Sequence, residues 1–337
     1  MRTIEWKDGV VVTIDQTKLP IKEEYVRIKT CEEMVDAIKT MRIRGAPVLG
    51  VAAAYGLALT AFHSRAETRE DLLVEIESCA QSLRKTRPTA VNLFWAIERV
   101  LKKMKKVRGN LQDITKALVE EAQRMADEDV ETNREIGENG ARLIEDGDTI
   151  LTHCNAGCLA TVDYGTALAV IRVAFEQGKH IRVFATETRP LLQGARLTAF
   201  ELKRDKIPVT LLTDNMIGYV MSKKLVSKVI VGADRIVKDA VINKIGTFTV
   251  AVVAYEHDIP FYVAAPRSTF DLTRFSRDVI IEERSPEEVI FYGKQRIAPR
   301  GINVLNPAFD ITPLKYVSGI ICETGILSSA EFKKLAA

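Results

Sequence analysis

From Asp148 onward the sequence alternates short apolar runs with stretches of helical spacing. The runs that predict strands are Thr149–His153, Ile181–Thr186, Val209–Thr213, Val229–Gly232 and Phe261–Ala265. The predicted helices between them are Asp163–Gly178, Leu191–Arg204, Met216–Lys223 and Thr247–His257. Runs of Val and Ile without strict alternation are typical of strands buried on both faces. This half of the chain is therefore restricted to an α/β fold with a mostly parallel sheet.

The first half of the chain has a different pattern. Asp8-Gly9 between two β-rich runs predicts a hairpin over residues 3–14, and Glu24–Lys29 adds a short third strand. Thr30-Cys31-Glu32-Glu33 has the spacing of a capping box and opens a helix. Helical spacing predicts further helices over Pro47–Phe62, Thr68–Lys85, Thr89–Val107 and Leu111–Glu145, the last with a candidate break at Gly137 or Gly140. We predict a mainly helical N-terminal part with a small β-sheet.

Length and charge exclude some classes of function. The 337 residues suffice for about two domains, and a net charge of +3 provides no clustered basic face of the kind that nucleic acids require. The lysines at 102, 103, 105 and 106 are interpreted as the solvated C-terminal end of a helix. The G-x-G-x-x-G and Walker A patterns of nucleotide sites are missing from the sequence. We predict no nucleic-acid partner.

The cysteines and the apolar runs indicate in which cellular compartment the protein is expected. Five cysteines, with Cys154 and Cys158 as the one short-spaced pair, favour reduced thiols over a disulfide framework or a zinc site. The N-terminal residues lack the apolar core of a signal peptide. The uncharged run from Gly45 to Phe62 approaches spanning length, but its Ala and Gly content favours a buried helix. We therefore expect a cytoplasmic protein without a membrane partner.

Ligands of open α/β sheets bind beyond the carboxyl ends of the strands. The polar residues that follow the predicted strands are Cys154-Asn155, Glu187-Thr188-Arg189, Asp214-Asn215 and Asp234-Arg235. Parallel neighbouring strands would place these residues on one rim of the sheet. We predict a functional site at that rim.

Asp234 and Cys154 are the candidates for chemistry. Asp234 follows the apolar run Val229–Ala233, where partial desolvation would raise its pKa and suit it to proton transfer. The alternative is an aspartate that caps the next helix or pairs with Arg235. Cys154 is a nucleophile or proton carrier if its thiolate is stabilised, and otherwise a small buried hydrophobe. His153 is expected to point to the opposite face of the strand and to be structural.

Three basic residues precede predicted helices and could bind a phosphate. Arg44 and Gly45 stand just before the helix that begins near Pro47, where the helix dipole favours an anion. Arg87 and Lys244 stand at the start of two other helices. Each could be a surface charge when considered alone. Together they favour a phosphorylated small substrate.

Seven motifs lie along the chain: Arg-Gly-Ala-Pro (44–47), Thr-Arg-Pro-Thr-Ala-Val-Asn-Leu (86–93), His-Cys-Asn-Ala-Gly (153–157), Thr-Arg-Pro-x-x-Gln-Gly-x-Arg-Leu-Thr-Ala (188–199), Gly-Ala-Asp-Arg-Ile (232–236), Asn-Lys-Ile-Gly-Thr (243–247) and Asn-Pro-Ala-Phe-Asp-x-Thr-Pro (306–313). Taken together, these motifs closely resemble those of the family of 5-methylthioribose-1-phosphate isomerases. They occur in order over nearly the whole chain, and no motif position departs from the pattern.

The resemblance implies an N-terminal mainly helical domain with a small β-sheet (1–127), a C-terminal Rossmann-like, mostly parallel α/β domain (128–337) and a homodimer. It also implies that no metal or organic cofactor is used. The catalytic residues that it implies are Cys154 and Asp234. The substrate-binding residues that it implies are Arg44, Gly45, Ala46, Arg87, Gln193, Asn243 and Lys244.

The implied reaction is an aldose–ketose isomerisation in methionine salvage. Asp234 would act as general acid and base, and Cys154 would shuttle a proton or stabilise the transition state; a direct hydride shift is the competing route. The alternatives are a ribose-1,5-bisphosphate isomerase and the non-catalytic regulatory subunits of the guanine-nucleotide exchange factor of eukaryotic translation initiation, which share the fold. A dehydrogenase is disfavoured because the glycine fingerprint is missing.

Overall fold

The computed structural model describes residues 1–87 and 90–336, so the predicted helix start at Thr89 lies outside the described residues. The chain begins with an antiparallel sheet in which strand β1 (Ile4–Lys7) pairs with β2 (Val10–Ile14), and β2 pairs with β3 (Tyr25–Ile28). The hairpin turn at Asp8 and Gly9 has positive φ at both residues, as the Asp-Gly signal requires. The predicted hairpin and third strand are confirmed.

Five helices follow, and the second is central to this part of the protein. They are α1 (Cys31–Lys39), α2 (Ala46–His63), α3 (Arg69–Arg84), α4 (Val91–Lys106) and α5 (Leu111–Ala141). Helix α2 is long and apolar enough to cross a membrane by length and composition, but 72% of that window is buried inside the protein. It packs against α1, α3, α4 and α5. The prediction of a buried helix is confirmed.

The second part alternates strands with helices. Its strands are β4 (Thr149–Thr152), β5 (Arg182–Thr186), β6 (Val209–Leu212), β7 (Lys228–Val231), β8 (Arg235–Val237), β9 (Ala240–Lys244), β10 (Phe261–Ala264), β11 (Phe270–Asp271), β12 (Phe291–Tyr292), β13 (Gln295–Arg296), β14 (Phe309–Pro313), β15 (Gly319–Cys322) and β16 (Gly325–Leu327). Its helices are α6 (Ala167–Glu176), α7 (Ala199–Arg204), α8 (Ile217–Ser222), α9 (Thr247–Glu256), α10 (Glu287–Ile290) and α11 (Ser329–Ala336).

The main sheet has the order β16-β15-β10-β7-β4-β5-β6 and is parallel except for the pairing of β15 with β16. The chain runs from β4 outward to β5 and β6, then returns to form β7 on the other side of β4. The sheet therefore has a topological switch point between β4 and β7, as in Rossmann-like folds, and ligands bind at such a crevice. The five predicted strands are all in this sheet, whereas β15 and β16 were not predicted.

A second sheet, of order β11-β8-β9-β14, was also missed by the sequence prediction. Strands β8 and β9 form an antiparallel hairpin directly after β7, and β14 arrives from about 65 residues later to pair with β9. Such short strands are hard to recognise locally, because their register is set by a distant partner. This sheet carries Asn243 and Lys244 at the end of β9.

Helix α5 runs without interruption to Ala141, so the candidate break at Gly137 or Gly140 is wrong. Both glycines lie where α5 crosses α6: a Cβ at Gly137 would lie 2.8 Å from Cγ2 of Val173, and one at Gly140 would overlap Val170. The glycines therefore permit close helix packing. The N-terminal half of α5 packs in the helical core and its C-terminal end packs on the main sheet, so one helix ties the two parts together.

The prediction that the cysteines are all reduced is wrong for one pair. Cys31, the first residue of α1, and Cys79 in α3 form a disulfide, while Cys154, Cys158 and Cys322 are free and buried. The two bonded cysteines are 48 residues apart, a spacing that carries no local signal. Within the described residues, no group of three or more metal-ligating side chains is found.

We expect the disulfide to stabilise the N-terminal part. Closing a loop of this length lowers the entropy of the unfolded chain, so reduction or Cys79→Ser should lower the free energy of unfolding by about 2–4 kcal/mol. Urea denaturation with and without reductant measures this, and the stability of Cys79→Ser should not respond to reductant. Thiol titration of the unfolded, unreduced protein should find the three free cysteines. Titration of every cysteine would contradict the bond.

Candidate active site

A cleft with a cavity volume of about 70 Å³ lies at the switch point of the main sheet. The start of α2 and the end of β9 also contribute to its walls. The catalytic and substrate-binding residues that the family resemblance implies all line this cleft: Arg44, Gly45, Ala46, Arg87, Cys154, Gln193, Asp234, Asn243 and Lys244. Other predicted rim residues, including Glu187, Arg189 and Asn215, do not line it.

Cys154 is the second residue beyond the end of β4, and its backbone is unusual. Its φ of 63° is in the left-handed region, which is rare for residues other than glycine and is often found at functional sites. Its N–H donates to Oγ1 of Thr188 at 2.9 Å, and its carbonyl accepts from Oγ1 of Thr198 at 2.6 Å. Burial raises the pKa of the Cys154 thiol, and the nearby Arg44 and Lys244 partly offset this. The side chain is therefore held as a neutral thiol.

Asp234 follows β7 and has no hydrogen-bond partner for its carboxylate within residues 1–87 and 90–336. Burial raises the pKa of this carboxyl, while Lys244 and Arg87 act in the opposite direction. Asp234 neither caps a helix nor pairs with Arg235, the two structural roles that the sequence left open. The next element is the strand β8 and not a helix, and Arg235 lies 3.7 Å from Asp271. Its carboxyl is thus a candidate acid that keeps its proton to higher pH than usual.

The turn after Cys154 is held by a buried carboxylate that the sequence did not single out. Glu201 accepts hydrogen bonds from the N–H groups of Cys158 (2.8 Å) and Leu159 (3.2 Å) and from Nδ2 of Asn155 (2.9 Å). It also pairs with Arg172 at 2.6 Å. Burial opposes the charge of Glu201, but Arg172 and these hydrogen bonds lower its pKa below the usual value. The turn is therefore fixed around an ionised carboxylate.

Arg44 is attached to the same network. It donates from Nη1 to Oδ1 of Asn155 at 2.7 Å and from Nη2 to the Asn155 carbonyl at 2.9 Å. Gly45 has a φ of 117°, and a Cβ there would overlap the backbone of Ala160. Only glycine fits this close approach without strain. The start of α2 is therefore fixed against the Cys154 turn.

The N-terminus of α2 is the better anion site of the two helix starts at the cleft. No side chain of the described residues caps it, and its dipole points into the cleft beside Arg44. The start of α9 is occupied instead, because the Asp310 carboxylate accepts from the N–H groups of Gly246 (2.7 Å) and Phe248 (3.1 Å). A phosphate is thus favoured near Arg44 and Ala46.

Two buried polar groups of the cleft have no partner in the part of the chain that the structure describes. They are Oε1 of Gln193 and Nε of Arg87. Buried polar atoms are nearly always paired, so unpaired atoms that line a cleft indicate a bound polar ligand. Lys244 is nearby, with its ammonium 2.8 Å from the Ala308 carbonyl, and burial lowers its pKa. These groups are suited to bind oxygen atoms of a sugar phosphate.

His153 also lines the cleft, so the prediction that it points to the opposite face is wrong. Strand β4 ends at Thr152, and the alternation of side chains no longer applies beyond it. Its ring nitrogens lie 2.6 Å from Oγ1 of Thr186 and 2.8 Å from the Ile245 carbonyl. Burial lowers the pKa of His153. A neutral imidazole with both nitrogens engaged is a wall of the cleft, in keeping with its expected structural role.

Replacing Glu201 with Gln should expose how strongly the turn depends on it. The substitution keeps the volume but leaves the Arg172 cation buried beside a neutral group, so we expect the free energy of unfolding to fall by about 3 kcal/mol. Asp205→Asn is the matched control, because Asp205 pairs with the same arginine from a position that is 33% exposed. We expect that loss to be about 1 kcal/mol or less. If urea denaturation shows the same loss of unfolding free energy for Glu201→Gln and Asp205→Asn, Glu201 is not the carboxylate on which the turn depends.

Comparison with known proteins gives consistent matches. The profile of the family described as "Initiation factor 2 subunit family" matches residues 42–329. The methylthioribose-1-phosphate isomerase of Carboxydothermus hydrogenoformans is 53% identical over 330 residues, which are 97% of this chain and 96% of that protein.

Two solved structures have the same fold under different names. The 5-methylthioribose 1-phosphate isomerase of Pyrococcus horikoshii is 46% identical with a TM-score of 0.92, covering 99% of this chain and 94% of that one. A structure from A. fulgidus titled translation initiation factor eIF-2B, subunit delta, is 54% identical with a TM-score of 0.90, covering 100% and 99%. By sequence and by fold, the chain belongs to the initiation factor 2 subunit family, in the group that contains the methylthioribose-1-phosphate isomerases.

Proposed function

We propose that this protein is an aldose–ketose isomerase that converts 5-methylthioribose 1-phosphate to 5-methylthioribulose 1-phosphate in methionine salvage. The observation that carries the proposal is the cleft itself. It combines a buried Cys154, a half-buried Asp234 whose carboxyl is desolvated and an uncapped helix start beside Arg44. The name of the C. hydrogenoformans relative supports the choice of substrate.

The chemistry requires a general acid. A sugar phosphorylated at C1 is a locked acetal and does not open its ring spontaneously. Protonation of the ring oxygen by Asp234 would break its bond to C1. Hydrogen then moves from C2 to C1, and the C2 hydroxyl returns a proton to Asp234 as the ketone forms. The reaction is an internal exchange of oxidation state, so we propose that neither a metal nor an organic cofactor takes part.

Cys154 is placed to act while hydrogen moves between the two carbons. A thiolate could remove the C2 proton and return it to C1 through an enolate. The other route is a direct hydride shift, with Cys154 stabilising the transition state as a neutral thiol, in keeping with the raised pKa of that thiol. Deuterium at C2 distinguishes the two routes, because a hydride shift retains it at C1.

Substrate binding would use the remaining polar residues. Arg44 and the N–H groups at Gly45 and Ala46 would bind the phosphate at the helix start. The other proposed ligands of the sugar phosphate are Arg87, Gln193, Asn243 and Lys244.

We further propose a homodimer in the cytoplasm. Exposed apolar side chains on β6 and α8, including Leu211 and Tyr219, are suited to burial against a second copy. Phosphorylated sugars are charged and are retained inside cells, which supports the location. The domain boundary between residues 127 and 128 likewise stays a proposal, because α5 crosses it as one helix.

The direct test is isomerisation of 5-methylthioribose 1-phosphate followed by NMR of the sugar. We expect wild type to form the ketose, and Cys154→Ser and Asp234→Asn to lose at least about 100-fold in kcat while remaining folded. Asp146→Asn, at an exposed position outside the cleft, is the control that should retain activity. Turnover of ribose 1,5-bisphosphate alone would indicate the related isomerase. No turnover of either sugar would favour the non-catalytic regulatory alternative.

The pH dependence tests the role of Asp234. A general acid must be protonated, so kcat/KM should fall as pH rises through the raised pKa of Asp234. Lys244→Met removes a positive charge that lowers this pKa, so the falling limb should move to higher pH even if activity decreases. Lys315→Met, an exposed lysine, should leave the limb in place. A limb that stays or moves to lower pH in Lys244→Met would contradict the assignment.

A further inference from the structure

A second, smaller cavity, of about 40 Å³, lies beside the cleft. It shares Gly45, Ala46, Arg87, Asp234 and Phe309 with the cleft wall. Its remaining wall is mostly apolar, and we call it the apolar annex: Leu49, Ala90, Ile242, Val279 and Ile281. The cleft and the annex are therefore two compartments of one site that meet at Asp234.

The annex has a buried floor and reaches the surface at Ile280, which also lines it and is 85% exposed. Leu49 and Ile242 are 3% exposed, and Phe309 is 8% exposed. Val279 and Ile281 are half-buried and pack on the cluster of Ile242 and Phe309.

The two compartments differ in polarity. Arg44, Gln193 and Lys244 line the cleft but not the annex. The cations that the annex does reach have acidic neighbours, since Arg87 lies 3.7 Å from Glu282 and Arg235 lies 3.7 Å from Asp271. Away from the wall that it shares with the cleft, where Gly45, Ala46 and Arg87 lie, the annex therefore favours an apolar group. A doubly charged phosphate there would have to compete with Glu282 and Asp271 for the two arginines.

We propose that the apolar annex binds the substituent at C5 of the sugar and selects a methylthio group over a hydroxyl or a phosphate. This inference rests on the proposed function. The ring oxygen that Asp234 would protonate is bonded to C4, and C5 is attached to C4. A sugar whose ring oxygen meets Asp234, with its C1 phosphate among the cations of the cleft, directs its C5 substituent toward the annex. Val279 and Ile281 are then specificity-determining residues.

The test compares two substrates that differ only at C5, 5-methylthioribose 1-phosphate and ribose 1-phosphate. Ile281→Asn puts a polar amide in the annex wall, and one apolar contact of this size is worth about 10-fold or more in discrimination. We expect the ratio of the two kcat/KM values to fall at least about 10-fold. Val279→Asn provides a second, independent variant. Ile302→Asn, at a site that is 49% exposed and outside the annex, is the control whose ratio should equal that of wild type.

The outcomes separate the inference from the proposed function. If wild type converts neither sugar phosphate, the proposed function fails. If wild type is active but Ile281→Asn and Val279→Asn, both folded by circular dichroism, keep the wild-type ratio, the annex does not bind the C5 group and the inference is overturned. A loss of preference in both annex variants, with the Ile302→Asn ratio unchanged, supports it.

Discussion

The geometry of the site depends on one buried ion pair, between Glu201 and Arg172. Their 2.6 Å contact lies below the Cys154 turn, and the carboxylate accepts two backbone N–H groups and the amide of Asn155. Gly157 is needed at this point because a Cβ would overlap the carboxylate. A buried carboxylate is costly unless it is paired and hydrogen-bonded. Here the ion pair and the hydrogen bonds offset the cost of burying the Glu201 carboxylate, and they also hold the Cys154 turn in one conformation.

The same network connects the two parts of the chain. Asn155 joins Glu201 to Arg44, and Arg44 leads directly into α2, the central helix of the N-terminal part. The start of that helix is thereby fixed over the switch point of the sheet, where its dipole faces the cleft. The catalytic candidates thus come from one part of the chain, and the main anion site comes from the other.

Burial controls the charge state within the cleft. It raises the pKa of Asp234 and of Cys154 and lowers that of Lys244, so each group is moved toward its neutral form. Nearby opposite charges limit these changes, because Lys244 counteracts the desolvation of both acids. A site of this kind can hold a protonated carboxyl and a neutral thiol around a sugar phosphate whose charge is balanced at the helix start.

The sequence by itself determined five of the seven main-sheet strands, the buried helix α2 and the rim residues Cys154 and Asp234. These follow from local periodicity and from the rule that ligands bind at strand ends. Gln193 was recognised from a family motif alone. Only the tertiary structure decided the Cys31–Cys79 bond, the β8-β9-β14 sheet and the annex. It also decided the role of Glu201. Each of these joins residues tens of positions apart, and no local pattern encodes which distant side chain fills a given space.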